Sequence, residues 1–214
     1  LRAYLGKEYE RLIQVDLICH GVPSPGVWRS YLKDYFGKEK IVDINFRDKR
    51  DGWLGFQCVT TTTTTTTYCE KQMENPYFRG FLTNVFLRNS CYDCRFKSVS
   101  RNTDITLADY WGVHLFCPEM CDDKGTSLVL VHSSKGQEVL SNILRDNNLK
   151  VQDNIIEYKA WNSAIENSVL VSKKRCYFFK AFGKRNRFSE LVKYIDKDRL
   201  HIRIIRKLKK ILIK

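Results

Sequence analysis

The chain has no run of apolar residues that approaches the ~18 needed to cross a bilayer as a helix. No signal peptide opens it. No segment repeats with a period of 20–50 residues, which sets aside solenoids and arrays. An initiator methionine is missing too. Leu1-Arg2-Ala3-Tyr4-Leu5-Gly6 reads like the middle of a helix stopped by glycine, so the sequence is expected to be truncated at its N-terminus. Charge excess is absent from most of the chain. Residues 172–214 hold 16 Lys/Arg against 3 Asp/Glu, an excess of 13 that equals the net charge of the whole chain, +13. Residues 1–171 balance at 21 basic and 21 acidic. A nucleic-acid-binding body would be basic itself, so the charge speaks only for the tail.

What is present is a foldable chain. Its 214 residues suit one large domain or two small ones, and 43% hydrophobic with 13% aromatic residues can build a core. Eight cysteines stand out: Cys19, Cys58, Cys69, Cys91, Cys94, Cys117, Cys121 and Cys176. Without a sign of secretion, they read as metal or redox chemistry before disulfides, in a reducing cytoplasmic compartment.

The patterning predicts an alternation of helices and strands. Leu12–Cys19 reads as a buried strand. His20-Gly21-Val22-Pro23 is a loop, and Ser24 with Pro25 opens a helix to about Phe36 with Val27, Tyr31, Leu32 and Tyr35 on one face. Ile41–Phe46 alternates as a strand. Trp53–Tyr68 contains eight threonines at 60–67. Thr suits strands, but a homopolymer defines no register, so an edge strand or hairpin is expected. Pro76–Leu87 and Lys135–Asn147 read as helices. Ile105–Tyr110, Ser127–His132 and Lys150–Ile156 read as strands. From Tyr158 onward the pattern is helical in pieces. On a wheel, Leu200, Ile204, Ile205, Leu208, Ile211 and Leu212 share one face and Arg199, Arg203, Arg206, Lys207, Lys210 and Lys214 the other. Residues 199–214 are read either as a docking or membrane-facing helix or as a plain packed terminus.

Cys91-Tyr92-Asp93-Cys94 carries the most specific chemistry. Two thiols two residues apart can converge on one metal. Cys117 and Cys121 could complete a tetrahedral zinc site, and Cys19, at a strand end, could join an iron–sulfur set. Spacing leaves both open. His20 reads first as a satisfied loop residue, and secondly as a ligand or acid/base. Gly21 would admit a flat ring or a phosphate close to the backbone. Tyr110, Trp111 and Gly112 could stack on a cofactor ring, although a core edge is the simpler reading. Asp122–Ser127, with Gly125 and Ser127, is either a plain turn or a phosphate cradle. Arg47, Lys49 and Arg50 read as a solvated turn or an anion contact.

Several motifs occur in order: Asp16-Leu17-Ile18-Cys19-His20-Gly21-Val22-Pro23, Phe46-Arg47-Asp48-Lys49 with Gly52-Trp53, Cys91-Tyr92-Asp93-Cys94-Arg95-Phe96, Asp104–Gly112, and Asp123-Lys124-Gly125-Thr126-Ser127-Leu128. Together they resemble the C-terminal domain of the coenzyme F-420 hydrogenase/dehydrogenase beta-subunit family, over roughly residues 1–135. The resemblance implies a flavoprotein with FAD and a [4Fe–4S] cluster that exchanges electrons with a deazaflavin or another hydride carrier. It implies Cys19, Cys91 and Cys94 as cluster ligands. A fourth ligand is expected in a Gly-Thr-Pro-Cys stretch upstream of Leu1. Tyr110, Trp111 and Gly112 would lie near the flavin, with Gly21, Gly125 and Ser127 as further cofactor contacts. Ala108 stands where the family has Gly, and the Thr run has no counterpart. A ferredoxin-like domain or redox partner protein is implied as electron partner.

The expected fold is α/β, a mixed sheet with flanking helices, a cysteine-bearing loop and a helical C-terminal extension. Residues 1–157 form the oxidoreductase domain and 158–214 the basic extension. The rival reading is a non-catalytic zinc module built on Cys91, Cys94, Cys117 and Cys121. The expected location is the cytoplasm, at the membrane surface if 199–214 anchors it.

Overall fold

Ser24 followed by Pro25 does start a helix, and the strands that hold Thr60–Thr62 and Thr67 pair antiparallel. In the computed structural model the described residues are 2–64, 67–147, 149–152, 161–185 and 187–195. Their elements in chain order are α1 (Arg2–Leu5), β1 (Val15–Leu17), α2 (Pro25–Phe36), β2 (Ile41–Asp48), β3 (Gln57–Thr62), β4 (Thr67–Lys71), α3 (Pro76–Leu82), β5 (Ile105–Asp109), α4 (Val113–Phe116), β6 (Ser127–Val131), α5 (Ser134–Asp146), α6 (Arg175–Arg185) and α7 (Phe188–Leu191). The α/β class, the mixed sheet and the helical C-terminal part match the expectation. The chain divides into two compact units, residues 1–20 with 94–168, and residues 21–93 with 169–214.

The first unit carries the mixed sheet, in the order β1-β5-β6. β1 runs parallel to β5 and β6 antiparallel to it. The predicted strand over Leu12–Cys19 is only three residues long, and it is not buried. Val15 is 52% and Leu17 68% exposed. The alternation of a strand explains this: the side between them belongs to Asp16, whose carboxylate takes hydrogen bonds from Arg101 and from the fully buried Thr106. α5 starts at Ser133, whose hydroxyl accepts from Gly136 N at 3.0 Å. Tyr110, Val113, Cys117, Leu128 and Ile165 form the unit's apolar cluster. Burying each large apolar side chain is worth roughly 1.5–3 kcal/mol. Lys150–Gln152 carries no strand, and 153–156 of that expected strand lie outside the described residues.

The second unit holds the antiparallel sheet β2-β3-β4. The homopolymer acquires a register because its neighbours are unlike. Cys58 is buried, and Thr60 and Thr62, on its face of the strand, are buried with it at 3% and 2% exposure, while Thr60 pairs with Ile44 and Tyr68. Thr65 and Thr66 lie outside the described residues. The helix expected to reach Leu87 stops at Leu82. Asn84 takes φ +60°, its N–H reaches Phe81 O, and Val85 N–H reaches Gly80 O. This is the paired hydrogen bonding of a left-handed helix stop, with Asn in the place usual for Gly. Val85, Phe86 and Leu87 then leave the helix wholly buried, and Leu87 bridges to Pro23. The core gathers Val27, Tyr31, Phe36, Tyr77, Phe86, Phe178 and Phe188, with Tyr31 stacked on Tyr77 at 5.0 Å. The amphipathic segment 199–214 lies outside the described residues.

Candidate functional site

In the second unit, Cys91 closes a short 3-10 turn over Asn89–Cys91. Its amide donates to Arg88 O at 3.0 Å. The segment 22–24 pairs with 86–88, through Arg88 N to Val22 O and Ser24 N to Phe86 O, both 2.8 Å. That pairing directs Val22 N–H at the Cys91 sulfur, 3.2 Å away. Gly21 sits beside it, and a side chain there would meet Leu87 Cδ1 at 2.7 Å. The close approach that Gly21 permits is therefore made by Leu87.

Arg175, the first residue of α6, holds the same loop. Its Nη1 lies 2.7 Å from Leu87 O, 3.0 Å from Tyr92 Oη and 3.2 Å from Val85 O, and Nη2 donates to Asn89 Oδ1 at 2.7 Å. The guanidinium also lies 4.7 Å from the Tyr92 ring and 4.6 Å from that of Phe179. Tyr92 in turn donates to Asn84 O at 2.6 Å. Burial raises the Tyr92 phenol above its ordinary range, against the pull of Arg175.

In the first unit, Cys19 is exposed just beyond β1, and His20 is half-buried beside it. Lys97 Nζ donates to Cys19 O and to Ala164 O, each at 2.7 Å. The Cys94 amide donates to Ser168 Oγ at 2.8 Å. Both cysteines thus have their backbone tied to the segment 164–168. Tyr110 is buried in the apolar cluster, while Trp111 is 38% exposed. Gly112 has φ +92°, and a Cβ there would stand 2.8 Å from Trp161 Cγ. The ring over Gly112 is that of Trp161, whose edge meets His114 at 6.1 Å. Gly125 takes φ +97°, and Ser127 opens β6 opposite Asp109. Tyr110 N donates to Thr126 O at 2.9 Å. The structure therefore brings Tyr110–Gly112 and Gly125–Ser127 side by side at one end of β5 and β6.

The same unit contains a polar group unforeseen in the sequence. Arg101 Nη1 donates to Asp16 Oδ2, and Thr106 Oγ1 lies between Asp16 Oδ1 and His132 Nε2, 2.8 Å from the latter. Burial pushes the Asp16 carboxyl up, but hydrogen bonds from Thr106 and Arg101 and the charge of Arg101 outweigh it and hold the group below its ordinary value. Arg47 and Lys49, read as part of a solvated turn or as an anion contact, lie over the Trp53 ring, and Arg50 pairs with Asp48.

All eight cysteines are free thiols. Among the described residues, no three His, Cys, Asp or Glu side chains gather as a metal-holding group. Cys117 is 4% exposed within the apolar cluster and Cys121 packs against it, so both serve as small apolar side chains. Among the described residues, the absence of a metal-holding group holds for Cys91, Cys94, Cys117 and Cys121 and for Cys19, Cys91 and Cys94 alike. The donor chemistry of Cys19, Cys91 and Cys94 fits iron: free thiols, with a backbone N–H aimed at one sulfur, as thiolate ligands need. Sequence reasoning missed Arg175, Lys97, Ser168 and Trp161. None stands in a motif, and each acts on backbone far away in the chain.

The described residues form an α/β architecture with free thiols in its loops. The chain belongs to the coenzyme F420 hydrogenase/dehydrogenase family, in the part described as the C terminus of the beta subunit, which it matches over residues 2–156. No curated protein and no solved structure matches it. The family consists of oxidoreductase subunits, and a beta subunit works within a multi-subunit enzyme. Among the described residues, no helix is long and apolar enough to cross a membrane.

Proposed function

We propose that this is the catalytic C-terminal domain of an iron–sulfur flavoprotein oxidoreductase, with Cys19, Cys91 and Cys94 as thiolate ligands of a [4Fe–4S] cluster. The family match over residues 2–156 carries the reading. Bound FAD would supply two-electron hydride chemistry toward coenzyme F-420 or another hydride carrier, and the cluster would supply one-electron transfer. The chain's own residues prepare the sites. Val22 N–H donates to the Cys91 sulfur and orients it. Lys97 and Ser168 fix the backbone at Cys19 and Cys94. Trp111, Gly112, Gly125 and Ser127, beside Tyr110, form the flavin-facing end of β5 and β6, and His20 is the candidate proton donor. Gly21 keeps the Cys91 donor segment close to Leu87.

The domain spans 1–157, and 158–214 form the basic extension. A ferredoxin-like domain or redox partner exchanges the electrons. The protein works in the cytoplasm, with 199–214 as a contact to a partner protein or to anionic membrane. The test is anaerobic purification of the product of the complete gene. The expected result is a brown protein with broad visible absorbance, iron and acid-labile sulfide, all lost in Cys91→Ser and Cys94→Ser. A colourless preparation with stoichiometric zinc overturns the reading.

A further inference from the structure

Arg175 lies beyond the stretch that matches the family, which ends at residue 156. Its guanidinium nevertheless meets acceptors on residues 85, 87, 89 and 92, before and after Cys91 in the chain. We propose that Arg175 is the positioning residue for the Cys91 sulfur: it fixes the turn that bears the thiol and, through residues 85–87, the segment that presents the thiol's N–H donor. The inference rests on the reading of Cys91 as a cluster ligand.

Three features support it. Leu87 O and Val85 O flank Phe86, whose carbonyl pairs with Ser24 N, so the guanidinium holds one side of the 22–24 pairing. Asn89 and Tyr92 bracket the sulfur's own turn, and Arg175 binds both. The planar fork reaches all four acceptors at once, the two N–H groups of Nη1 being shared among Val85 O, Leu87 O and Tyr92 Oη while Nη2 serves Asn89. A lysine ammonium, with three donors on a point charge, cannot span them. The Phe179 ring, on the same helix as Arg175, lies against the guanidinium and holds its plane. The sulfur is placed by a residue more than eighty positions away in the chain.

The test compares the full chain with Arg175→Ala and Arg175→Lys. Hydrogen exchange is read at the Val22 amide, which donates to the sulfur, and at Val59 in β3 as a control for global opening. Val22 is expected to exchange about tenfold faster in both variants, equivalent to about 1.4 kcal/mol of local opening. Arg175→Lys, which keeps the charge and the stem, is expected to restore Val59 protection and the melting temperature but not Val22. That split separates positioning from mere structural support. Unchanged Val22 exchange in both variants overturns the inference, as does equal acceleration at Val22 and Val59 in Arg175→Lys. The iron and sulfide content of wild-type complete protein is measured in parallel. Fast Val22 exchange in the variants, with a wild type that holds no cluster, overturns the ligand reading of Cys91 and leaves the clamp standing.

Discussion

Arg101 Nη1 stands 2.6 Å from Asp16 Oδ2, and the arginine side chain is only 9% exposed. The pair joins β1 to the loop before β5, and Thr106 and His132 extend it into the sheet. Arg101→Met removes the charge but keeps the stem, and leaves a carboxylate without its counter-ion. Fully buried pairs lose about 3–5 kcal/mol on such a change. Asp16 is 29% exposed, so water screens part of the loss. About 1–2 kcal/mol is expected, measured as a lower denaturant midpoint with unchanged slope.

The same carboxyl sets a pH dependence. Its folded-state pKa is depressed, so the stabilisation is full above the ordinary carboxyl value of about 3.9 and fades as pH falls through the folded value. Stability contributed by Asp16 should be flat from pH 7 to pH 5 and decline only in the acid range. Asp16→Asn should remove that acid slope. A variant with the wild-type slope would refute this role.

Gly112 combines a left-handed backbone with the Trp161 ring at van der Waals distance. Gly112→Ala should cost about 1–3 kcal/mol, from the φ of +92° and from the clash. Trp161→Ala in the same chain should recover the steric part alone. The interaction measured by this double-mutant cycle therefore isolates the ring contact. Perfect additivity would show that Trp161 does not lie on Gly112 in solution.

Much of this fold is local and therefore legible in sequence. Ser24-Pro25 marks a helix start within one turn, and β5 and β6 show in short apolar runs of a few residues. The length of β1 was not legible, because its pairing stops at Leu107 although β5 runs on to Asp109. The end of α3 was missed because Pro76–Leu87 is apolar enough for either a helix or a buried extended run, and Asn84 decides between them. The cysteine motifs were legible as thiols with ligand spacing. Their supports were not. Lys97 on Cys19 and Arg175 around Cys91 are long-range contacts to backbone carbonyls, and carbonyls carry no residue identity.

Cys58 offers an alkaline counterpart to Asp16. Burial pushes its thiol up to about 11. A raised folded-state value means that stability is full below the unfolded thiol pKa, near 8.5, and is lost as pH climbs toward 11. Cys58→Val keeps the volume and removes the ionisation. Its denaturant midpoint should fall less between pH 8.5 and pH 11 than that of the wild type. At pH 8, alkylation should spare Cys58 and modify the exposed Cys69 on the adjacent strand.

Cys117 and Cys121 separate the two metal readings most directly. In the apolar cluster with Tyr110, Val113, Leu128 and Ile165, the Cys117 sulfur fills space as a small hydrophobe. Cys117→Ser places a hydroxyl there, and burying it without a partner costs about 1–3 kcal/mol. Cys117→Val retains the apolar character and should melt near the wild type. Neither substitution removes a proposed iron ligand, so iron and sulfide per chain should be unchanged in the folded protein. A zinc module predicts the opposite pattern. Both substitutions would then release metal, and valine would be as harmful as serine because only the lost thiolate matters. Metal analysis beside a thermal melt of the two variants therefore decides whether these sulfurs pack or coordinate.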